Sequence, residues 1–178
     1  METSFVLRSI RYALDLPDHQ VAALLQQGGK GITVAEVNQL LLREDDPHFQ
    51  LCSEAQLIAF LNGLILKRRG PQSPSQGRPT VEKELLTNNL VLKKLRVAFE
   101  LRDEDMQNLL TQGGITLAKA ELSALFRHPD HKNYRQCGDQ VLRKFLKGLS
   151  LKLRPEAAAK ARQTPNGVQS EDEQISHC

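Results

Sequence analysis

The chain has 178 residues, of which 40% are apolar and 25% are charged. This length suits one ordinary domain or two small ones, and the average charge content excludes wholesale disorder. No apolar run approaches the roughly 18 residues of a membrane-spanning helix. The N-terminus also lacks the apolar stretch and small-residue cleavage site of a secretory signal. We therefore expect a cytoplasmic protein with no membrane partner.

The chain contains an internal repeat. Residues 6–69 align without a gap with residues 91–154 at an offset of 85, and 24 of the 64 aligned pairs are identical. Leu accounts for 29 residues and aromatic residues for only 8, a balance that favours helices over strands. A repeat of this length, present twice, predicts two small homologous domains in tandem.

The repeat divides the chain into four segments. Residues 70–84 hold three Pro, two Gly and two Ser, which is typical of a linker. The C-terminal segment has no sustained apolar periodicity, so we expect it to be disordered. The predicted segments are unit 1 (1–69), a linker (70–87), unit 2 (88–154) and a tail (155–178).

Each unit is predicted to contain four helices. In unit 1 the first helix covers Ser4–Leu14 with Ser4 as its N-cap. The second helix begins near Pro17 and ends at Gly28-Gly29, where a left-handed cap fits. Thr33 and Ser53 begin the third and fourth helices, because Glu and Gln follow them at capping-box spacing.

Unit 2 repeats this pattern. No segment in either unit shows the period-2 alternation of a strand, so the sequence predicts an all-α fold of two four-helix units. The helices of unit 2 are expected at Leu92–Phe99, Asp103–Gln112, Thr116–Phe126 and Asp139–Leu153.

One side of the fourth helix differs between the two units. At 100° per residue the four positions concerned lie within about 60° of one another and form a stripe. The unit 1 stripe is apolar although that helix also has an apolar core side, so we expect Ile58 and Ile65 to pack against unit 2 or a second chain. The unit 1 stripe is Ile58, Asn62, Ile65 and Arg69, and the unit 2 stripe is Arg143, Lys147, Ser150 and Arg154.

Several segments carry a resemblance to a known family. They read IRYALDL, REDDPHFQLCS, FLNGLILKRRG and FRHPDHKNYRQCGDQVLRKFLKGL. These segments resemble the YehS-like family, a bacterial family of unknown function whose members carry the domain twice. The resemblance covers about residues 4–154 and implies a bacterial cytoplasmic protein, but it brings no catalytic residue or cofactor.

The residues that could support chemistry have simpler structural explanations. Cys52 and Cys137 precede the fourth helices, where a thiol could be activated, but we favour small buried packing residues. His128, Asp130 and His131 could bind a metal, but a turn and capping cluster is favoured because their spacing matches no known metal site. We therefore expect no metal, no cofactor and no enzymatic activity.

Two functions remain open. The first is a protein-interaction or regulatory adaptor that uses apolar helix surfaces, with Ile58 and Ile65 contacting a partner or a second copy. The second is a nucleic-acid-associated module that binds DNA or structured RNA mainly through unit 2, because residues 1–69 carry a net charge of −1 and residues 88–154 a net charge of +6. The cations expected to contact nucleic acid are Lys93, Lys94, Arg96, Arg143, Lys144, Lys147, Lys152 and Arg154.

Overall fold

A computed structural model of the chain describes residues 2–70 and 85–156, which form eight α-helices and no β-strand. The predicted all-α fold with two four-helix units is confirmed. Most of the predicted linker and nearly all of the predicted tail lie outside the described residues. The helices are α1 (Thr3–Leu14), α2 (Asp18–Gln27), α3 (Val34–Leu41), α4 (Glu54–Arg69), α5 (Asn88–Ala98), α6 (Asp103–Gly113), α7 (Lys119–Leu125) and α8 (Asp139–Leu153).

The two capping boxes predicted in unit 1 are both present. The Thr33 hydroxyl accepts from the Glu36 amide, and the Glu36 carboxylate accepts from the Thr33 amide. Ser53 and Gln56 make the same reciprocal pair at the start of α4. Each box satisfies amide groups that have no partner within the helix, so the local sequence determines where α3 and α4 begin.

The prediction that Ser4 caps α1 is wrong. The helix begins at Thr3, and Ser4 lies inside its first turn with 0% of its surface exposed. The Ser4 hydroxyl instead accepts from the Cys52 amide at 3.0 Å. A side-chain acceptor at a helix start is therefore used here to hold a distant loop, which the local sequence does not reveal.

Two helices of unit 2 begin elsewhere than predicted. The helix α5 begins at Asn88, four residues before the predicted start, because the hydroxyl of the preceding Thr87 accepts from an amide of the first turn. The helix α7 begins at Lys119 instead of Thr116, and the Glu121 carboxylate accepts from the Ala118 amide just before it. In both cases the first turn is fixed by a side chain that accepts a hydrogen bond from a backbone amide three residues away.

Glycines allow α4 to pack backbone-to-backbone on α2. A Cβ atom on Gly63 would lie 1.9 Å from the carbonyl oxygen of Leu24, and one on Gly28 would lie 1.8 Å from that of Ala59. Gly28 has a φ of −81°, whereas Gly29 has a φ of 101°, so only Gly29 has the predicted left-handed conformation. Gly28 is needed for the close approach of the two helices, and α6 and α8 pack in the same way in unit 2.

The first helix of each unit packs mainly on the last helix of the other unit: α1 on α8, and α5 on α4. Repeat-related residues make equivalent contacts in these two pairs. Arg154 Nη1 donates to the Tyr12 carbonyl at 3.1 Å, and Arg69 Nη1 donates to the Val97 carbonyl at 3.5 Å. The units are therefore related by an approximate twofold rotation around one continuous apolar core.

In both of these pairs, α1 with α8 and α5 with α4, the two helices run in the same direction. Near their N-termini the Arg143 guanidinium lies 4.4 Å from the centre of the Phe5 ring, and near their C-termini that of Arg154 lies 4.5 Å from the Tyr12 ring. Parallel helices align their dipoles, so the C-terminal ends favour cations. This geometry explains why part of the basic charge of unit 2 lies at the unit junction.

Candidate nucleic-acid interface

The two repeat-related cysteines are structural. Cys52 is 1% exposed and Cys137 is 2% exposed, and burial raises the pKa of each thiol to about 12. The Asn89 amide oxygen accepts from the Cys137 backbone amide at 2.8 Å, as Ser4 does for Cys52 in unit 1. Thiols that remain protonated near neutral pH are poor nucleophiles and metal ligands, so this pair is suited to packing.

The histidine loop of unit 2 is an exposed turn. His128 Nδ1 accepts from the Asp130 amide at 3.4 Å, and His131 Nδ1 accepts from the Asn133 amide at 3.0 Å. Both histidines therefore satisfy backbone groups of their own loop. Within residues 2–70 and 85–156, no group of three or more His, Cys, Asp or Glu side chains is arranged to hold a metal ion.

The structure covers the unit 1 stripe within the chain except at Arg69, which is exposed. Ile58 is 2% exposed, and Ile65 is partly buried against the core. Between them on the same side of α4, the Asn62 amide oxygen accepts from Lys94 Nζ of α5 at 2.6 Å. The apolar surface expected to pack against unit 2 or a second chain is therefore largely covered by unit 2 of the same chain.

Two of the predicted nucleic-acid contacts on α5 are involved in packing, and the third is exposed. Lys94 is 6% exposed and lies at the junction with α4. The Arg96 guanidinium pairs with Asp103 at 2.8 Å and stacks over the Phe126 ring. Lys93 is exposed on α5. The structure does not gather these three cations into one surface.

The unit 2 stripe faces α1 but remains accessible. The Arg143 side chain is 47% exposed and pairs with Glu2 at 2.9 Å. The Arg154 side chain is 31% exposed and lies 3.5 Å from an Asp15 carboxylate oxygen. Lys147 lies between the two arginines along the helix and is exposed.

The remaining predicted cations lie on different sides of α8. Lys144 is half-buried beside α6, and its Nζ would lie 3.5 Å from a Cβ atom on Gly114. Lys152 is exposed but lies about 140° around the helix from Lys147. The residues that share one outer side define the α8 basic face: Arg143, Lys147 and Arg154.

A cavity at the end of this face was missed by the sequence reasoning. Its volume is about 310 Å³, and it opens where the C-termini of α1 and α8 meet. One signal in the sequence was available, because Tyr12 stands where unit 2 has Val97. The lining residues are Arg11, Tyr12, Asp15, Leu16, Pro17 and Arg154.

Comparison with known proteins gives the family. The family described as "Protein of unknown function (DUF1456)" matches residues 5–70 and residues 88–154. This chain belongs to that family. It is also 40% identical over 151 residues to "Uncharacterized protein YehS" of Escherichia coli (strain K12), a match that covers 84% of this chain and 95% of the relative. No solved structure matches the chain.

The two segments matched by the DUF1456 family coincide with the two helical units of the structure. The repeated unit of the family is thus the four-helix unit described above, and its first helix completes the neighbouring unit. Among the described residues, no helix combines the length and the apolar character needed to cross a bilayer.

Proposed function

We propose that this protein binds nucleic acid through the phosphate backbone, using the α8 basic face. One observation carries the proposal. The α4–α5 pair and the α1–α8 pair are related by the repeat, but the surface is buried at the first and exposed and basic at the second. At the α4–α5 junction Ile58 is 2% exposed and Lys94 is 6% exposed, so this surface is closed. At the α1–α8 junction the equivalent of Ile58 is Arg143, whose side chain is 47% exposed.

The cations of the α8 basic face are available for phosphate groups. No ion pair within residues 2–70 and 85–156 involves Lys147. The pairs of Arg143 and Arg154 with carboxylates are exposed to solvent, and such pairs contribute little free energy. An incoming phosphate can therefore replace a carboxylate on either guanidinium, whose planar donors match phosphate oxygens.

The proposal is tested by fluorescence polarisation with labelled oligonucleotides over a range of salt concentrations. Binding should weaken as salt rises, because cations that contact phosphates release counterions from the nucleic acid. Lys147→Glu should weaken binding and lower the salt slope by about one phosphate contact. The matched control is Lys152→Glu, which makes the same charge change on another side of the same helix.

The control distinguishes an effect of the α8 basic face on binding from an effect of the overall charge. Equal losses in Lys147→Glu and Lys152→Glu would mean that only the overall charge of unit 2 matters. Absence of binding at low salt, or binding that does not depend on salt, would refute the proposal. Both lysines are exposed, so the two variants should fold as the parent does.

A second candidate function is a protein-interaction or regulatory adaptor. The helix surface at Ile58 is covered within the chain, but Leu51, just before α4, is 68% exposed. Unit 2 has Gln136 at this position, so Leu51→Gln introduces the residue of the other repeat. An adaptor of this kind predicts that Leu51→Gln loses a captured protein partner while Lys147→Glu keeps it.

A further inference from the structure

The cavity at the end of the α8 basic face has the composition of a small ligand site. It is a depression of about 310 Å³ that is partly open to solvent. The Tyr12 ring is half-exposed beside it with the Arg154 guanidinium over one face at 4.5 Å, and Leu16 and Pro17 add apolar walls. Such walls suit a flat ligand ring, which can stack its π-face on the tyrosine and pack its apolar edge against the other side chains.

The polar groups of the cavity provide both donors and an acceptor. The Arg11 guanidinium pairs through Nη2 with Asp18 at 2.9 Å, and its buried Nε has no hydrogen-bond partner in the part of the chain that the structure describes. The Arg154 guanidinium lies at the C-terminal end of α8, and the adjacent Asp15 side chain is 80% exposed. A nucleobase needs this combination, because its edge presents hydrogen-bond acceptors and donors together.

The equivalent corner of unit 2 lacks these features. There Val97 replaces Tyr12, and Arg102 replaces Pro17. Arg96, the equivalent of Arg11, donates through its Nε to the Leu101 carbonyl at 3.2 Å. The aromatic wall and the unpartnered donor are therefore specific to one of the two repeat-related positions.

The cavity is continuous with the α8 basic face. Arg154 belongs to both, and Lys147 precedes it by two helical turns, or about 10.5 Å along the axis. A strand whose phosphates contact Lys147 can place a neighbouring base against Tyr12. A base inside a duplex is paired and stacked, so only an unpaired base can enter.

We infer that the cavity beside Tyr12 binds an unpaired nucleobase, so that the protein prefers single-stranded nucleic acid; this inference rests on the proposed function. Phosphates of the strand contact the α8 basic face. The base stacks on the side of the Tyr12 ring that Arg154 leaves uncovered, and its edge bonds to Asp15 and the Arg154 guanidinium.

The experiment compares two probes of equal length with the full chain. One is oligothymidylate of about twelve nucleotides, a length within the site sizes of single-strand binders. The other is an abasic oligonucleotide with the same phosphate backbone. Oligothymidylate should bind about 5- to 150-fold more tightly, the range for stacking one base on an aromatic side chain. Tyr12→Val should remove this preference without changing the salt slope, and Tyr12→Phe should keep it.

A second measurement uses the native Tyr12 and needs no change in the cavity. The chain has two tyrosines and no tryptophan, so Tyr134→Phe leaves Tyr12 as the only strong fluorophore. Its emission should be quenched by oligothymidylate and not by the abasic probe. Equal affinity for both probes, or no quenching on binding, would overturn the inference and leave the proposed function standing. If neither probe binds at low salt, both the inference and the proposed function are wrong.

Discussion

Replacing Gly63 by alanine should strongly destabilise the fold. In this position a Cβ atom would lie 1.9 Å from the Leu24 carbonyl oxygen, whereas real contacts of this kind are essentially never shorter than 3.0 Å. The helices α2 and α4 would have to separate by more than 1 Å. The obstructing atom belongs to the backbone, so a rotamer change cannot relieve the clash.

The magnitude follows from two opposing effects. Alanine is favoured over glycine inside a helix by about 1 kcal/mol, and overpacking a core costs about 1–3 kcal/mol or more. Because two helix backbones collide here, we expect the upper end of that range to be exceeded. The net loss should be about 2–3 kcal/mol, which lowers the melting temperature by about 5–10 °C for a chain of this size.

Urea denaturation followed by circular dichroism measures this loss, with Gly31→Ala as the matched control. A Cβ atom on Gly31 would meet nothing within 4 Å. That variant should be unchanged or slightly more stable, by about 0.4–1 kcal/mol, because alanine reduces the entropy of the unfolded chain. If Gly63→Ala unfolds at the same urea concentration as the parent, the inferred backbone contact between α2 and α4 is wrong.

Three further changes test other parts of the structure. Asn89→Ala removes three hydrogen bonds to buried or partly buried backbone groups and should cost about 2–4 kcal/mol in urea denaturation; a loss under about 1 kcal/mol would argue against these bonds. Burial raises the pKa of Cys52 from 9.0 to about 12, so its contribution to stability is complete below pH 9 and is lost as pH rises towards 12; the unfolding free energy of Cys52→Ala should therefore decline less than that of the parent over this window. Glu100 has a φ of 52°, so Glu100→Gly should raise the melting temperature slightly, because it relieves about 1–2 kcal/mol of strain and costs only about 0.4–1 kcal/mol through the more flexible unfolded chain, while the exposed pair with Arg69 contributes little; a lower melting temperature would contradict this account.

Local sequence signals predicted the elements of this fold well. The capping boxes of Thr33 and Ser53 lie within four residues of the amides that they satisfy, so short-range chemistry is sufficient to locate those helix starts. The repeat at an offset of 85 predicted two homologous units, because an ungapped duplication requires the same packing twice. The Ser4 error occurred where a side chain bonds to a residue far away in the chain, whereas the starts of α5 and α7 were misplaced although Thr87 and Glu121 act only three residues away.

The candidate site was only partly predictable. The excess of cations in unit 2 was evident from the sequence, as was the difference between the unit 1 stripe and the unit 2 stripe. Burial was not evident: Lys94 and Lys147 both looked like exposed helix cations, yet Lys94 is 6% exposed and bonded to α4. Which cations remain available depends on which helix covers them.

The sequence by itself determined the helices, their caps and the duplication, because each depends on residues that are close together or repeated in register. Only the tertiary structure decided that the first helices are exchanged between the units. That exchange brings together residues such as Arg143 and Glu2, which are 141 positions apart in the chain. Side chains so far apart meet only when the whole core has formed. The exchange closes the α4–α5 junction, leaves the α8 basic face open and creates the cavity beside Tyr12.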